Sequence, residues 1–426
     1  MIDSKASHKV TFFKKAGYRF LFLYIVLYIY PYGFEYIQEL TTSDISFWKG
    51  MTIWFGETVF GWEFNTSNLM NGFDSKYDYS RFTLIAVLSV IGTAIWLFID
   101  TKINVSYTQK LKVLLYTILR YHVALTLIIY GLSKVFMLQF GEMDLNRLEG
   151  TIGNQNGMRY LWTFMSYSEF YTKTSGWIEV IGGVFLLFRK TTFIGAFILF
   201  IAMANVVLID IGYDVRVKMF AIHLFLMTLL LLAYDYRRIL RFFISNRATK
   251  PSELASLFTT KKSKKIGYVL KGVLLTYYVV SCTTHFSDRL ENQTTNRYPS
   301  LTSYHTVQLF VKNGDTIPLD TSDRVWKTIS INGSSYIPET LMITKGGGYG
   351  ANYSFEADTL AKTLRFHPMR GDTNDVYQFT YKTLADKAYV FEGIHFEDTL
   401  WIQTKAKTLK DYQLTSRGIK WITDLE

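Results

Sequence analysis

The chain has 426 residues, a formal net charge of +11 from 46 Lys+Arg against 35 Asp+Glu, and 49% hydrophobic residues. The apolar residues gather in long runs over the first two-thirds, and the basic ones flank those runs. This is a membrane-topology pattern and excludes nucleic-acid binding as the source of the charge. A single cysteine, Cys282, excludes intrachain disulfides, a CxxC relay and a Cys-rich zinc site.

Lys5, Lys9, Lys14 and Lys15 precede a first apolar run that lacks a small-residue cleavage site, so a retained span is expected rather than a signal peptide. A bilayer core needs about 20 helical residues. Seven runs approach that length, at 18–34, 82–99, 113–133, 176–188, 191–209, 217–234 and 266–283. The fourth is short, with Trp177 as an interfacial anchor and Arg189-Lys190 turning tightly into the fifth.

Orientation follows from charge. Lys14, Lys15 and Arg19 precede span one, and Arg237, Arg238, Arg241, Lys261, Lys262, Lys264 and Lys265 separate spans six and seven. These segments are expected on the cytoplasmic side. The acidic first loop, with Glu35, Glu39, Asp44, Glu57, Glu63, Asp74 and Asp78, is expected outside, as is everything after the seventh span. The reading is a bacterial inner-membrane protein with a cytoplasmic N-terminus and a periplasmic C-terminal domain.

After Cys282 the pattern turns polar, with alternating runs at 304–311, 340–344, 353–357, 363–367, 376–381, 388–392, 399–404 and 419–423, separated by turn signals such as Asn313-Gly314 and Asn332-Gly333. The expected fold is an α-helical polytopic membrane bundle over 1–284, a polar linker over 285–300, and an all-β antiparallel barrel-like domain over 301–426. Tyr377, Phe379 and Tyr381 share one strand face, as do Tyr389 and Phe391, and Leu400 and Ile402. Aromatics of this size favour a barrel filled by its own side chains over one holding a ligand.

Ionisable groups inside a bilayer are costly unless paired or wet, which makes each a candidate. By depth, Lys134, Glu179, Asp210, Asp214, Arg216 and Lys218 lie near the exported ends of their spans and could meet in one polar pocket. Asn205 and His223 lie about a turn deeper, where a quinone head group or a proton path could be met. The bland alternative is that Lys134 pairs with Glu179, and Arg216 or Lys218 with Asp210 or Asp214, only to hold helices together. Haem ligation by His122 and His223 is disfavoured by their different depths. Gly182-Gly183, with Gly176 and Gly195, are read as packing sites between spans four and five. The Gly346-Gly347-Gly348 run lacks the features of a phosphate loop and reads as a hairpin. Val279-Val280-Ser281-Cys282 has the form of a lipobox but not its N-terminal position.

The stretch from Arg120 to Tyr234 resembles the DoxX-like family of small bacterial membrane proteins. It does so through Arg120-Tyr121-His122, Tyr130-Gly131-Leu132-Ser133-Lys134-Val135, Glu179-Val180-Ile181-Gly182-Gly183, Asn205-Val206-Val207-Leu208 and Tyr213-Asp214-Val215-Arg216-Val217-Lys218. The tail is loosely similar to calycin barrels. The resemblance implies a membrane subunit of a redox or quinone-linked complex, with quinone as the implied cofactor and protein partners in that complex. No catalytic triad, metal-ligand set or nucleotide motif accompanies it. The competing expectation is therefore a non-catalytic assembly protein whose β-domain docks onto an envelope complex.

Overall fold

A computed structural model describes residues 2–30, 45–65, 74–103, 108–249, 256–294, 298–372, 374–416 and 418. Contacts divide the chain into two compact units, residues 1–135 with 173–285, and residues 136–172 with 286–426.

The first unit is helical. Its principal helices are α1 (Ile2–Ile29), α2 (Ile45–Phe60), α3 (Lys76–Ile103) and α4 (Thr108–Val135). After α5 (Gly157–Tyr167), which belongs to the second unit, follow α6 (Glu169–Leu186), α7 (Thr192–Gly212), α8 (Lys218–Ala233) and α9 (Lys261–Thr294). Every apolar run read from the sequence is helical where it is described. Four helices, Lys76–Asp100, Gln109–Val135, Thr192–Gly212 and Lys261–Glu291, are long and apolar enough to cross a membrane; Lys218–Ala233 with Tyr236–Ile244 makes a fifth if that bent pair is one span. Among the described residues, length and composition thus single out four or five candidate spans, against the expected count of about seven. The eighteen residues of α6 carry Glu169, Lys173 and Glu179. The apolar part of α1 runs only from Tyr18 to the helix end at Ile29, short of the ~20 residues a bilayer needs.

The helices bury an apolar centre that includes Leu119, Val123, Ala124 and Leu127 from α4, Leu199 and Met203 from α7, and Leu224 and Met227 from α8. Elsewhere their surfaces stay apolar and exposed, for example Val90, Ile95, Phe98, Leu208 and Val269. Such a surface fits lipid rather than water. α1 and α3 are joined by an Arg19–Asp100 ion pair, with Arg19 buried and lying over the Trp96 ring at 5.6 Å.

The second unit is an antiparallel sheet of nine strands, eight of which close into a barrel. They are β1 (Ser303–Lys312), β2 (Asp315–Ile317), β3 (Trp326–Ile331), β4 (Thr340–Lys345), β5 (Gly350–Asp358), β6 (Thr363–Pro368), β7 (Tyr377–Thr383), β8 (Ala388–His395) and β9 (Asp398–Lys407). Neighbours pair in sequence from β3 to β9, β1 pairs with β3 and β9 to close the ring, and β2 is a short hairpin extension of β1. Seven of the expected strands are present; the eighth, at 419–423, lies outside the described residues. β3 was not anticipated. The expected linker is instead helical as far as Thr294, the end of α9.

β3 hides in the sequence because a bulge between Trp326 and Thr328 puts Trp326 out of step with Ile329 and Ile331, which leaves an alternation too short to read as a strand. Ser330 Oγ donates to Asn146 Oδ1 at 2.6 Å, and Asn146 belongs to the 136–172 segment, which packs as part of this unit. Asp144 is the main fastener. One oxygen caps the helical turn Leu145–Leu148 through Arg147 N at 2.9 Å, and the other accepts from Ser335 N at 2.9 Å and Ser335 Oγ at 3.1 Å. Glu149 accepts from Lys407 Nζ and from Tyr412 Oη, each at 2.7 Å.

The barrel interior is filled by Phe310, Leu341, Ile343, Phe355, Phe366, Phe379, Tyr381, Phe391 and Ile402 among others, as the strand faces lead one to expect. The space beside His305 is about 10 Å³, room for no more than one water. His305 is buried, with Nε2 at 2.8 Å from Ser303 Oγ and Nδ1 at 3.0 Å from Thr404 Oγ1. Burial pulls its pKa from 6.5 down to about 3. Between those values the unfolded chain binds a proton that the folded barrel does not. Stability from this group is therefore complete above about pH 6.5 and falls, by up to about 1.4 kcal/mol per unit, as the pH drops toward 3. Thermal melts of the strand signal should show a shallower acid slope in His305→Gln than in the parent; an unchanged slope would rule His305 out as its source.

Candidate functional site

Two bare helix backbones meet first. A Cβ on Gly131 would lie 2.6 Å from the Gly176 carbonyl, and one on Gly176 would lie 2.5 Å from the Gly131 carbonyl. Only glycine permits that approach of α4 to α6. Gly183 continues the seam against Ala124 and Ile128 of α4, whereas Gly182 and Gly195 bring α6 to α7. This corrects the reading that assigned all four glycines to one helix pair. Gly182 and Gly195 do serve spans four and five, but Gly176 and Gly183 face span three, because adjacent glycines point about 100° apart on a helix.

Three residues beyond each glycine of the seam stand Lys134 and Glu179. The Lys134 ammonium donates to Glu179 Oε1, and their side chains are 9% and 4% exposed. The other oxygen, Glu179 Oε2, is buried without a hydrogen-bond partner. Asp210, on α7, is also buried, and its Oδ2 has no partner. Lys134, Asp74 and Lys218 all act on Asp210 electrostatically. Glu179 and Asp210 are thus two buried carboxylates, each with an acceptor oxygen unused, and the first of them holds the Lys134 ammonium. A proton, a water or a ligand donor would satisfy them.

The start of α8 forms a second arrangement. Asp74 accepts from Lys218 N at 2.8 Å and Met219 N at 3.0 Å, capping the helix, while Lys218 Nζ lies 2.7 Å from Asp214 Oδ1 and 3.8 Å from Asp74 Oδ2. Asp74 was read only as part of an acidic loop. Its capping role depends on a contact 144 residues along the chain, which no local pattern announces.

His223 lies in a third group. Its Nδ1 is 2.6 Å from the Met219 carbonyl, which can only accept, so this nitrogen carries the proton. Nε2 is then a bare acceptor and takes the Tyr24 hydroxyl at 2.7 Å. Tyr28 stacks on the ring at 4.4 Å and Phe82 lies at 4.7 Å. With both nitrogens engaged, His223 has none left for a metal. His122 meets Tyr28 edge-on at 6.3 Å, with its Nε2 buried and unpartnered. Among the described residues no group of three or more His, Cys, Asp or Glu is placed to hold a metal ion.

The eight candidates therefore do not all converge. Lys134 pairs with Glu179, Asp214 and Lys218 join Asp74, Asp210 feels Lys134, Lys218 and Asp74 electrostatically, His223 joins Tyr24, and Asn205 and Arg216 are exposed. Tyr24 was missed because a tyrosine in an apolar run carries no signal of its own.

Among known proteins, the uncharacterized protein YwoB of Bacillus subtilis (strain 168) is 35% identical over 124 residues, covering 29% of this chain and 79% of YwoB. The chain therefore belongs to the family of YwoB. No family model matches it, and no solved structure matches it.

Removing one partner of a buried ion pair strands the other charge, at a cost of about 3–5 kcal/mol, whereas replacing both by apolar groups is often nearly neutral. Lys134→Met should therefore lower the melting temperature of the detergent-solubilised protein markedly, and Lys134→Met with Glu179→Leu should recover most of the loss. Additive losses would show that the two charges do not depend on each other.

Proposed function

We propose that this chain, a member of the family of YwoB, is a non-autonomous subunit of a bacterial inner-membrane complex linked to quinone chemistry. Its polar site is Lys134, Glu179 and Asp210. The observation that carries the reading is the buried Lys134–Glu179 pair, whose Glu179 Oε2 is left unused, together with a second buried carboxylate, Asp210, whose Oδ2 is also unused. A quinone head group offers carbonyl oxygens that Lys134 could donate to. Its reduction takes up two protons with two electrons, and a buried carboxyl is suited to relay them. The electrons would come from a partner subunit. The DoxX-like resemblance supports the same reading. In this topology about seven helices span or enter the bilayer, with the N-terminus cytoplasmic and the barrel periplasmic; the charge bias of the loops supports that orientation.

A second reading, a non-catalytic assembly protein docking through its β-domain, has its own support. The barrel interior is occupied, but two open clefts of about 340 and 320 Å³ lie beside Asp144, the second lined by Arg147, Arg159, Trp162 and Tyr336. Arg, Trp and Tyr are the residues that most often dominate binding energy at protein interfaces.

Purification with native lipids retained separates the readings. The quinone reading expects extractable quinone in stoichiometric amount in the parent, reduced at least about tenfold in the double variant Lys134→Met with Glu179→Leu, which is expected to keep most of the parent's stability. Quinone at the level of bulk lipid in both proteins, with an envelope complex co-purifying, would replace it with the docking reading.

A further inference from the structure

Beyond α8 the chain does not run straight on. Tyr236–Ile244 is bent by 71° from Lys218–Ala233. It begins as one α-helical turn, Tyr236–Ile239, and ends as a π-helical turn, Leu240–Ile244. Where α8 stands near the membrane normal, such a bend brings the segment to within about 20° of the membrane plane.

Its composition fits that placement: Arg237, Arg238 and Arg241 stand among Tyr236, Ile239, Leu240, Phe242, Phe243 and Ile244. Ile239 packs on the bundle and Phe243 stacks on Phe197 of α7 at 6.2 Å, which fixes the segment against the helices. The other apolar side chains are exposed: Leu240 is 46% exposed, Phe242 60% and Ile244 75%.

The cations divide in the same way. Arg238 is held by Asp235 at 3.2 Å and lies over the Phe193 ring. Arg237, Arg241 and Arg247 are exposed and form no ion pair with a carboxylate among the described residues. A guanidinium binds a phosphodiester through two parallel hydrogen bonds, and apolar side chains flanking it suit the acyl chains below.

We propose that Tyr236–Ile244 with Arg247 is an in-plane anchor that binds the headgroups of anionic phospholipids, and not the second half of a transmembrane span. The occupant follows from continuity with a bilayer-length apolar bundle and from charge complementarity. The inference does not rest on the quinone reading.

The test uses the full chain in nanodiscs, with Cys282→Ser and Ile244→Cys carrying a nitroxide. The label should report the boundary between headgroups and acyl chains. A label at the bilayer centre or in open water would overturn the proposal. Native mass spectrometry of the parent should retain phosphatidylglycerol in preference to phosphatidylcholine by about tenfold, falling in high salt. The triple variant Arg237→Gln, Arg241→Gln, Arg247→Gln should lose that preference, and the triple Arg→Lys variant should keep part of it, which separates lost charge from a lost fold. Equal retention of both lipids by the parent, or competition by inorganic phosphate at moderate concentration, would also overturn it.

Discussion

The helical unit depends on one close approach. The α4 and α6 backbones touch at Gly131 and Gly176, where any side chain would collide with a carbonyl. That contact places Lys134 and Glu179, each three residues further on, within reach of each other in apolar surroundings. The order of cause matters. An ammonium and a carboxylate cannot remain charged in such a place unless they are held together. The seam sets the two residues opposite each other at a fixed separation. The pair in turn fixes the rotation of both helices and leaves Glu179 Oε2 and Asp210 Oδ2 as acceptors still open.

The second unit solves its polar problem differently. Its buried polar groups are satisfied in local networks, with His305 between Ser303 and Thr404, and Asp144 shared between a helical turn and the backbone of Ser335. The segment 136–172 leaves the helical unit immediately after Lys134 and Val135 and packs on β3 by way of Asn146. The barrel is a filled scaffold, and its open clefts are on the outside, where aromatic and arginine side chains line them.

Much of the fold was legible because it is written in periodicity. Seven apolar runs are helical and seven alternating runs are strands. A bulge defeats that code, as in β3, where Trp326 falls out of step with Ile329 and Ile331. Charges blur the span count in the same way, since α6 carries Glu169, Lys173 and Glu179 within eighteen residues. In the site, Lys134 and Glu179 were legible from opposite charge at similar depth. Depth does not fix rotation, however. Arg216 at the depth of the pair, and Asn205 a turn deeper, are exposed, while Tyr24 and Asp74 reach the candidate residues from remote parts of the chain.

The central claim is that the glycine seam and the buried charge pair act as one unit. The direct measurement is a double-mutant cycle on unfolding in detergent, crossing Gly176→Ala with the charge-free pair Lys134→Met and Glu179→Leu. If the seam exists to hold the charges together, Gly176→Ala should be clearly less damaging in the charge-free background, with a coupling energy of about 1–3 kcal/mol. Equal damage in both backgrounds would contradict the account, leaving the glycines as packing alone and the ion pair as incidental.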